Sequence, residues 1–259
     1  MKIIDAHAHL LAESDYLENL LEEMDKCGIE KCCISGLGIL FRCLDNKAVK
    51  NAFNRYPDRF VGSVFIRPGL NGPADIRRAH NEGFRMVKVT IPQKAYDDAS
   101  YFPLWEVTQE LEMPVLFHTG IVTTSQRAPR EKISSWYMHP MRIEPITNAF
   151  PDLKIIIAHL GVHWNNDAAE LARMRPNVFV DLTGEPDGWR VRADTIGMDK
   201  WLWWPGAFKK VVFGTDVHYT KIQQILREDQ LRLDKLMINQ QTREQIFAGN
   251  ILRLLGGLD

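Results

Sequence analysis

Several side chains that can bind a metal ion stand at or near the ends of apolar, β-branched segments of this sequence. The set comprises His7 and His9, Lys88, His118, His159 and Asp216. Two histidines separated by one residue on a strand point the same way, so the imidazoles of His7 and His9 can reach one ion. A single histidine at a strand end is more often an ordinary hydrogen-bonded residue. Several buried polar groups in one place, however, would each cost roughly a few kcal/mol without an ion or a hydrogen-bond network. The set as a whole therefore predicts a metal site.

The segments that carry these side chains alternate with helix-like patterns along the whole chain. Strands are predicted at residues 2–7, 31–35, 60–66, 85–90, 114–118, 154–158, 177–182 and 210–215. Helices are predicted at 15–26, 45–55, 73–81, 101–111, 140–149, 167–173, and about 220–233 and 242–255. Strands that alternate with helices indicate βαβ units and a parallel sheet. Apolar runs such as 154–158 are typical of parallel strands covered on both faces.

Eight such units in a chain of 259 residues fit an α/β fold of the (β/α)8 or TIM-barrel type, with residues 1–259 as a single domain. The competing architecture is an open doubly wound sheet. The sequence contains neither G-x-G-x-x-G nor a P-loop to mark the nucleotide crevice of such a sheet. In a barrel the carboxyl ends of all strands meet at one face, so the polar set would come together at the barrel mouth.

The amino-acid composition limits the kinds of molecule that the protein is expected to bind. The chain has 32 basic and 33 acidic residues and a net charge of −1, which argues against nucleic acid or an anionic membrane as a partner. No stretch approaches the roughly 20 apolar residues that span a bilayer. Cys27, Cys32, Cys33 and Cys43 form no chelating pattern and are expected to be free thiols of a cytoplasmic protein. A small-molecule substrate is therefore expected. The apolar cluster 201–205 is expected to pack against the barrel, with a subunit contact in a homodimer as the alternative.

Five short motifs occur in an order that resembles one enzyme family. They are Asp-Ala-His-Ala-His at 5–9, Gly-Phe-Arg-Met-Val-Lys-Val at 83–89, Pro-Val-Leu-Phe-His-Thr-Gly at 114–120, the segment 151–161 ending in Ala-His-Leu-Gly, and Phe-Gly-Thr-Asp at 213–216. The ordered series resembles the amidohydrolase superfamily, and within it the amidohydrolase-related branch, also called amidohydrolase 2. Asn250, in the last predicted helix, also matches this branch.

The resemblance implies a distorted (β/α)8 barrel of the metal-dependent hydrolase type with one divalent cation, zinc or alternatively manganese. By position, the implied metal ligands are His7, His9, His118 and Asp216, and His159 matches the catalytic histidine of the family. In some members of the superfamily a lysine at the place of Lys88 is carboxylated and bridges two metals. The related branch usually works with one metal and an unmodified lysine. A single ion is therefore expected, with a second ion and a carboxylated Lys88 as the alternative.

Two types of reaction are compatible with such a site. The resemblance implies that Asp216 accepts the proton of an attacking water and that His159 stabilises the developing negative charge. The expected activity is hydrolysis of a C–N or C–O bond next to a carbonyl, in an amide, lactone or ester. The alternative is a lyase, a non-oxidative decarboxylase or hydratase of a small carboxylic acid, which the same branch contains. The segment 160–163, Leu-Gly-Val-His, lacks the acidic residue often found there in the decarboxylases, and this favours the hydrolase.

Substrate contacts are expected from the loops that follow the strands. The longest irregular stretch, 120–138, follows the fifth predicted strand, and long loops in compact domains are often functional. Arginine offers a planar fork that suits a carboxylate, so a small acidic substrate is expected, although an ordinary surface charge is the alternative for each arginine. The candidates are Lys88, Arg127, Arg130, Trp136, Tyr137, His139, Arg142, His163, His218 and Tyr219.

Overall fold

Eight parallel strands form the centre of the protein in the computed structural model, which describes residues 1–124 and 133–257. Each strand pairs with the next one along the chain, so the order around the sheet is the order in the sequence. The strands are β1 (Ile4–His9), β2 (Lys31–Ser35), β3 (Phe60–Ile66), β4 (Met86–Val89), β5 (Val115–Phe117), β6 (Ile155–Ile157), β7 (Val178–Asp181) and β8 (Val211–Val212). The prediction of a (β/α)8 barrel is confirmed, and every predicted strand is present.

The barrel is closed by two hydrogen bonds where the short β8 meets β1. The peptide N–H of Ala6 donates to the carbonyl of Phe213 (3.0 Å), and that of Asp216 donates to the carbonyl of His7 (2.8 Å). Gly214 lies between these two bonds, and a Cβ at this position would be 2.9 Å from the Cβ of His7. The absence of a side chain at Gly214 therefore lets the two strands approach. The result is a nearly closed and distorted barrel.

Helices follow the strands and cover the outside of the barrel. They are α1 (Tyr16–Cys27), α2 (Asn46–Arg55), α3 (Pro73–Asn81), α4 (Phe102–Glu110), α5 (Glu144–Ala149), α6 (Asn165–Met174), α7 (Trp189–Ile196), α8 (Ile222–Lys235), α9 (Gln240–Glu244) and α10 (Asn250–Leu254). The sequence did not predict α7. The predicted helix 140–149 begins as a 3-10 turn, because Pro145 has no N–H to donate to an α-helical hydrogen bond. The predicted helix 242–255 is interrupted by a π-helical turn at Gln245–Gly249.

An apolar core fills the lower part of the barrel. It contains Ile4, Ala6, Cys33, Val61, Met86, Leu116, Ile156, Phe179 and Val212, and α10 adds Ile251 and Leu254. Because strand side chains alternate between two faces, the residue two positions further along a strand also faces the interior. Lys88, His118 and Asp181 follow Met86, Leu116 and Phe179 in this way. The apolar layer is therefore overlaid by a polar layer at the mouth.

An irregularity in β1 decides where its two histidines point. Ile4 and Ala6 belong to the interior core, so strict alternation would turn His7 and His9 outward. The pairing of β1 with β2 shifts its register within residues 5–8. Such a bulge changes the alternation of side chains, and bulges often lie next to active sites. The register shift thus turns both imidazoles towards the barrel mouth.

The cysteines and the cluster 201–205 were also assigned from the sequence. The four cysteines are unpaired, as expected. Within the cluster 201–205, Trp201 and Trp204 pack against the core, whereas Trp203 is 64% exposed. In residues 1–124 and 133–257 there is no helix whose length and apolar character would allow it to cross a membrane.

Candidate metal centre

Three potential ligands converge at the mouth of the barrel. His7 and His9 come from β1, and Asp216 follows β8. The Nε2 atoms of His9 and His7 lie 3.0 Å and 3.7 Å from Oδ1 of Asp216. With one ligand atom taken from each residue, the three atoms all lie within 4.8 Å of one another. Two imidazoles and a carboxylate at these distances can hold one divalent cation.

His118 and His159 lie beside this group. The Nδ1 of His118 is 3.2 Å from the Nε2 of His159, which in turn is 3.5 Å from Oδ2 of Asp216. The other ring nitrogen of His118, Nε2, is buried and has no hydrogen-bond partner among the described residues. An unpaired buried atom of this kind costs about 1–3 kcal/mol, which a cation bound to it would relieve. The structure thus brings three of the four predicted ligands within 4.8 Å of one another and places His118 next to them.

His7, His118 and Asp216 are in the ionisation states that a metal requires. Burial lowers the pKa of His7 to about 4 and holds the pKa of His118 well below its ordinary value. Both imidazoles are therefore neutral at neutral pH, the form that binds metals. Burial alone would raise the pKa of Asp216, but the neighbouring His7 and His9 outweigh it and hold the pKa well below its usual range. Asp216 is therefore a carboxylate.

Two of these residues have unusual backbone conformations. His159 has a φ of 58° and Asp216 a φ of 48°, in the left-handed region that residues other than glycine rarely adopt. Each such conformation costs on the order of 1–3 kcal/mol. The peptide N–H of His159 donates to Oδ1 of Asp181 (2.7 Å), and that of Asp216 donates to the carbonyl of His7 (2.8 Å). These hydrogen bonds hold the two turns that direct the side chains over the mouth.

Lys88 is buried within the same polar layer and is only 1% exposed. Its ammonium group donates to Nε2 of His7 at 2.7 Å. Burial lowers the pKa of Lys88 to about 8, so the side chain remains mostly protonated at neutral pH. A buried positive charge therefore lies at the mouth, next to the ring nitrogen that faces Asp216.

Asp5 is a buried acid of the site region that the sequence analysis did not assign a role. Its Oδ1 accepts from the peptide N–H groups of His7 (2.9 Å) and Thr215 (3.1 Å), and its Oδ2 accepts from the Thr215 hydroxyl (2.6 Å). Burial raises the pKa of Asp5 to about 7. Asp5 therefore ties β1 to the segment that carries Asp216. Its place in the motif Asp-Ala-His-Ala-His was the available signal.

Asp181 and Thr183, at the end of β7, are further residues that the sequence analysis missed. Asp181 is fully buried, and its Oδ2 lies 2.9 Å from Nδ1 of His7. The hydroxyl of Thr183 lies 2.8 Å from Nδ1 of His159. Burial alone would raise the pKa of Asp181, but the interactions with His7 and His159 outweigh it and hold the pKa below its usual range. Asp181 is a polar residue at a strand end, so the rule that selected His118 could have found it.

The predicted substrate residues of the loop after β5 form an aromatic cluster with Trp164. The ring centroids of His139 and Trp164 are 4.4 Å apart, and those of Trp136 and His139 are 4.9 Å apart. The guanidinium of Arg142 lies 5.7 Å from the centre of the Trp136 ring and 3.2 Å from a carboxylate oxygen of Asp97. Trp136 is 55% exposed, so the cluster presents an aromatic surface to solvent.

His218 and Tyr219 lie in the loop that leads from β8 to α8. The Nε2 of His218 is 3.1 Å from Oε2 of Glu13, in the loop after β1. The rings of His218 and Tyr219 pack edge-on against Tyr16, with centroids 5.5 Å and 5.3 Å away. The two residues therefore connect the loops that follow β1 and β8.

The remaining predicted contacts are separate from these two groups. Tyr137 is half-buried, and its carbonyl accepts from the peptide N–H of Tyr96 (3.1 Å). His163 is exposed in the loop after β6. Arg127 and Arg130 lie outside the described residues.

The fold and the site define a TIM barrel that has imidazole and carboxylate groups at the carboxyl ends of its strands. Comparison with known protein families identifies the family to which this barrel belongs. The family model described as amidohydrolase matches residues 41–257, which is most of the chain. The protein therefore belongs to the amidohydrolase family. His118, His159 and Asp216 lie within the matched segment, whereas His7 and His9 precede it. No curated protein matches the chain.

Solved structures share the fold at low sequence identity. An uncharacterized TIM-barrel protein from Bordetella bronchiseptica is 20% identical over 99% of both chains, with a TM-score of 0.75. A probable 2-pyrone-4,6-dicarboxylic acid hydrolase from Acinetobacter baumannii is 15% identical over 99% of this chain and 100% of that chain, with a TM-score of 0.68. A 5-carboxyvanillate decarboxylase from Novosphingobium aromaticivorans, complexed with manganese, is 16% identical over 98% and 96%, with a TM-score of 0.66. These similarities establish the shared fold.

Proposed function

We propose that the protein is a metal-dependent hydrolase that cleaves a C–N or C–O bond next to a carbonyl, in an amide, lactone or ester of a small acidic molecule. The observation that carries this proposal is the convergence of His7, His9 and Asp216, with the ring of His118 nearby and its buried Nε2 unpaired among the described residues. A buried nitrogen without a partner needs a ligand, and the adjacent donors suit a cation. Membership of the amidohydrolase family supports the same conclusion.

One divalent cation is proposed, held by His7, His9, His118 and Asp216. Nitrogen and carboxylate donors suit zinc, and manganese is the alternative. When bound, such an ion supplies Lewis acidity and lowers the pKa of water towards neutrality. A second ion on a carboxylated Lys88 is the less favoured arrangement, and the number of ions per chain distinguishes the two.

The two oxygens of Asp216 are suited to different tasks. Oδ1 faces His7 and His9, whereas Oδ2 lies 3.5 Å from Nε2 of His159. Oδ1 is therefore proposed as the ligand atom, and Oδ2 as the base that takes the proton of the attacking water and passes it to the leaving group. The low pKa of Asp216 keeps this oxygen ready to accept. His159 is proposed to stabilise the negative charge that develops on the substrate after its Nε2 takes up a proton, because the neutral ring has a lone pair there.

The charges and aromatic surfaces around the mouth support a small acidic substrate. Lys88 places a buried ammonium group beside His7, and Arg142 and Trp136 combine a guanidinium with an exposed ring. A guanidinium binds a carboxylate through a planar fork, and an aromatic face can pack on a flat substrate. The proposed substrate contacts are Lys88, Arg127, Arg130, Trp136, Tyr137, His139, Arg142, His163, His218 and Tyr219.

A lyase reaction is the second candidate. The similar solved structures include a decarboxylase complexed with manganese, and a carboxylate-binding mouth would serve a decarboxylase as well as a hydrolase. Leu-Gly-Val-His after His159 favours the hydrolase, and the product formed distinguishes the two reactions.

The test is a substrate screen with protein that has been stripped by a chelator and reloaded with zinc or manganese. Lactones, amides, esters and aromatic carboxylic acids are supplied, and acid release and carbon dioxide are measured separately. Acid without carbon dioxide supports the hydrolase, whereas carbon dioxide supports the lyase. Activity that the chelator does not reduce would contradict both.

A further inference from the structure

The carboxylate of Asp181 accepts hydrogen bonds from His7, His159 and Thr183. Its Oδ2 lies 2.9 Å from Nδ1 of His7. Its Oδ1 accepts from the peptide N–H groups of His159 (2.7 Å) and Thr183 (3.1 Å) and from the hydroxyl of Thr183 (2.7 Å). An ionised carboxylate can only accept hydrogen bonds, so each of these partners must donate. The direction of every bond around Asp181 is therefore determined.

The first consequence is the position of the proton on His7. Its Nδ1 must carry the proton that it donates to Asp181, which leaves a lone pair on Nε2. The contact of 2.7 Å between Nζ of Lys88 and Nε2 of His7 agrees, because an ammonium group can only donate. His7 therefore presents an unprotonated Nε2 on the side where Asp216 lies.

The second consequence passes through Thr183 to two more imidazoles. The hydroxyl proton of Thr183 is donated to Asp181, so its Oγ1 can only accept from Nδ1 of His159 (2.8 Å). His159 then has a lone pair on Nε2, and Nδ1 of His118, 3.2 Å away, must donate to it. The remaining lone pair of His118 is on Nε2, the buried atom that has no partner among residues 1–124 and 133–257.

We propose that Asp181 and Thr183 are positioning residues that set His7, His159 and His118 as the Nδ1–H tautomers. This arrangement leaves a lone pair on Nε2 of His118 and on Nε2 of His7, where a cation would replace the hydrogen bond from Lys88. Histidine ligands commonly donate their other N–H to a carboxylate or carbonyl, and the loss of that partner weakens metal binding. Here one buried carboxylate orients three rings. The consequence for metal binding rests on the proposed function, but the tautomers can be measured without any ion.

Asp181→Asn should move the proton of His7 from Nδ1 to Nε2. Three donors converge on Oδ1, so the amide oxygen of asparagine must stay there, and its NH₂ group must face Nδ1 of His7. His7 then accepts at Nδ1 and takes the Nε2–H tautomer, which places a proton on the proposed ligand atom and requires Lys88 to release a proton or turn away from Nε2. Thr183→Val removes the hydroxyl that orients His159 and leaves only the carbonyl of residue 183, 3.2 Å from Nδ1. Thr183→Ser keeps the hydroxyl and is the matched control.

The experiment is long-range ¹H–¹⁵N correlation spectroscopy of metal-free protein labelled in its histidine rings, which identifies the protonated nitrogen of each imidazole. Wild type and Thr183→Ser should show Nδ1–H for His7, His118 and His159. Asp181→Asn should show Nε2–H for His7. Titration with zinc alone should show affinity about 10–100-fold lower for Asp181→Asn, as expected for the loss of a group that orients a ligand.

Two results would overturn the inference. One is an Nε2–H tautomer of His7 or His159 in the wild type, and the other is an Asp181→Asn protein with unchanged tautomers and zinc affinity. Nδ1–H tautomers in a wild type that binds no zinc would instead contradict the metal centre and leave the tautomer assignment intact. If Asp181→Asn does not fold, Thr183→Val carries the test. An unchanged His159 tautomer with unchanged zinc affinity would then refute the role of Thr183.

Discussion

His118→Leu tests whether His118 is a metal ligand. Because its buried Nε2 has no partner among the described residues, the substitution should affect the stability of the metal-free and the metal-loaded protein differently. Without metal, the wild-type ring bears the cost of a buried unpaired nitrogen, about 1–3 kcal/mol, and gains about 0.5–1.5 kcal/mol from the hydrogen bond of Nδ1 with His159. Leucine fills a similar volume and removes both contributions. The two contributions oppose each other, so the free energy of unfolding of the metal-free protein should change by less than about 2.5 kcal/mol.

Zinc should separate the two proteins. An ion that binds only the folded state adds about 2.7 kcal/mol at a concentration of about 100 times its Kd. If the loss of His118 weakens binding about 100-fold, the same concentration adds only about 0.4 kcal/mol. At roughly 2–4 °C per kcal/mol, zinc should raise the Tm of the wild type by roughly 5–11 °C and that of His118→Leu by roughly 1 °C. Thermal denaturation with zinc and with a chelator measures both values.

His80→Leu on α3 is the control and should keep the full zinc effect. A full zinc effect in His118→Leu would refute the assignment of His118 as a ligand. A metal-free His118→Leu protein that is destabilised by more than about 4 kcal/mol would refute the claim that this ring adds little stability without metal. A loss of that size is typical of removing a well-packed core side chain. The ring would then serve packing rather than metal binding.

Three further predictions concern turnover, stability and thiol reactivity. Asp216→Asn should fold and retain much of its zinc but lose about 10²–10⁴-fold in kcat at saturating metal, and an unchanged kcat would exclude Asp216 as the base. Arg190→Met removes one partner of the buried Asp229 (2.8 Å), which keeps its ion pair with Arg232, and should lower the free energy of unfolding in urea by about 1–3 kcal/mol. The exposed Arg77→Met should cost less than about 1 kcal/mol, and equal losses would contradict the argument from burial. Burial raises the pKa of Cys27 to about 11, so at pH about 8 only about one thiol in a thousand is ionised. A disulfide reagent should label Cys27 about a hundred times more slowly than free cysteine, and equal rates would contradict this pKa.

The barrel could be predicted because all of its strands have the same type of sequence pattern. A parallel strand covered on both faces is a short continuous apolar run, and the eight runs of this chain alternate with helical patterns. The helix α7 was missed because Trp189, Val191 and Ala193 alternate with polar residues, a pattern of period two that obscures the helical spacing. It is stabilised instead by tertiary contacts, among them the buried Arg190, which donates to the carbonyl of Leu182 (2.6 Å) and pairs with Asp229.

The sequence predicted which side chains form the candidate site but not the hydrogen bonds between them. Polar residues at strand ends indicate the barrel mouth, and His7, His9, His118, His159 and Asp216 do lie there. Their mutual contacts depend on which ring nitrogen faces which neighbour, and sequence spacing contains no information about that.

The amino-acid sequence by itself determined which functional groups stand at the strand ends, because the carboxyl ends of parallel strands meet at one end of the barrel. Only the tertiary structure decided which atoms they present. The bulge in β1 turns His7 and His9 inward, left-handed turns direct His159 and Asp216 over the mouth, and Asp181 orients the rings from a distant strand. These features depend on hydrogen bonds between residues far apart in the chain, and such bonds exist only once the barrel has closed.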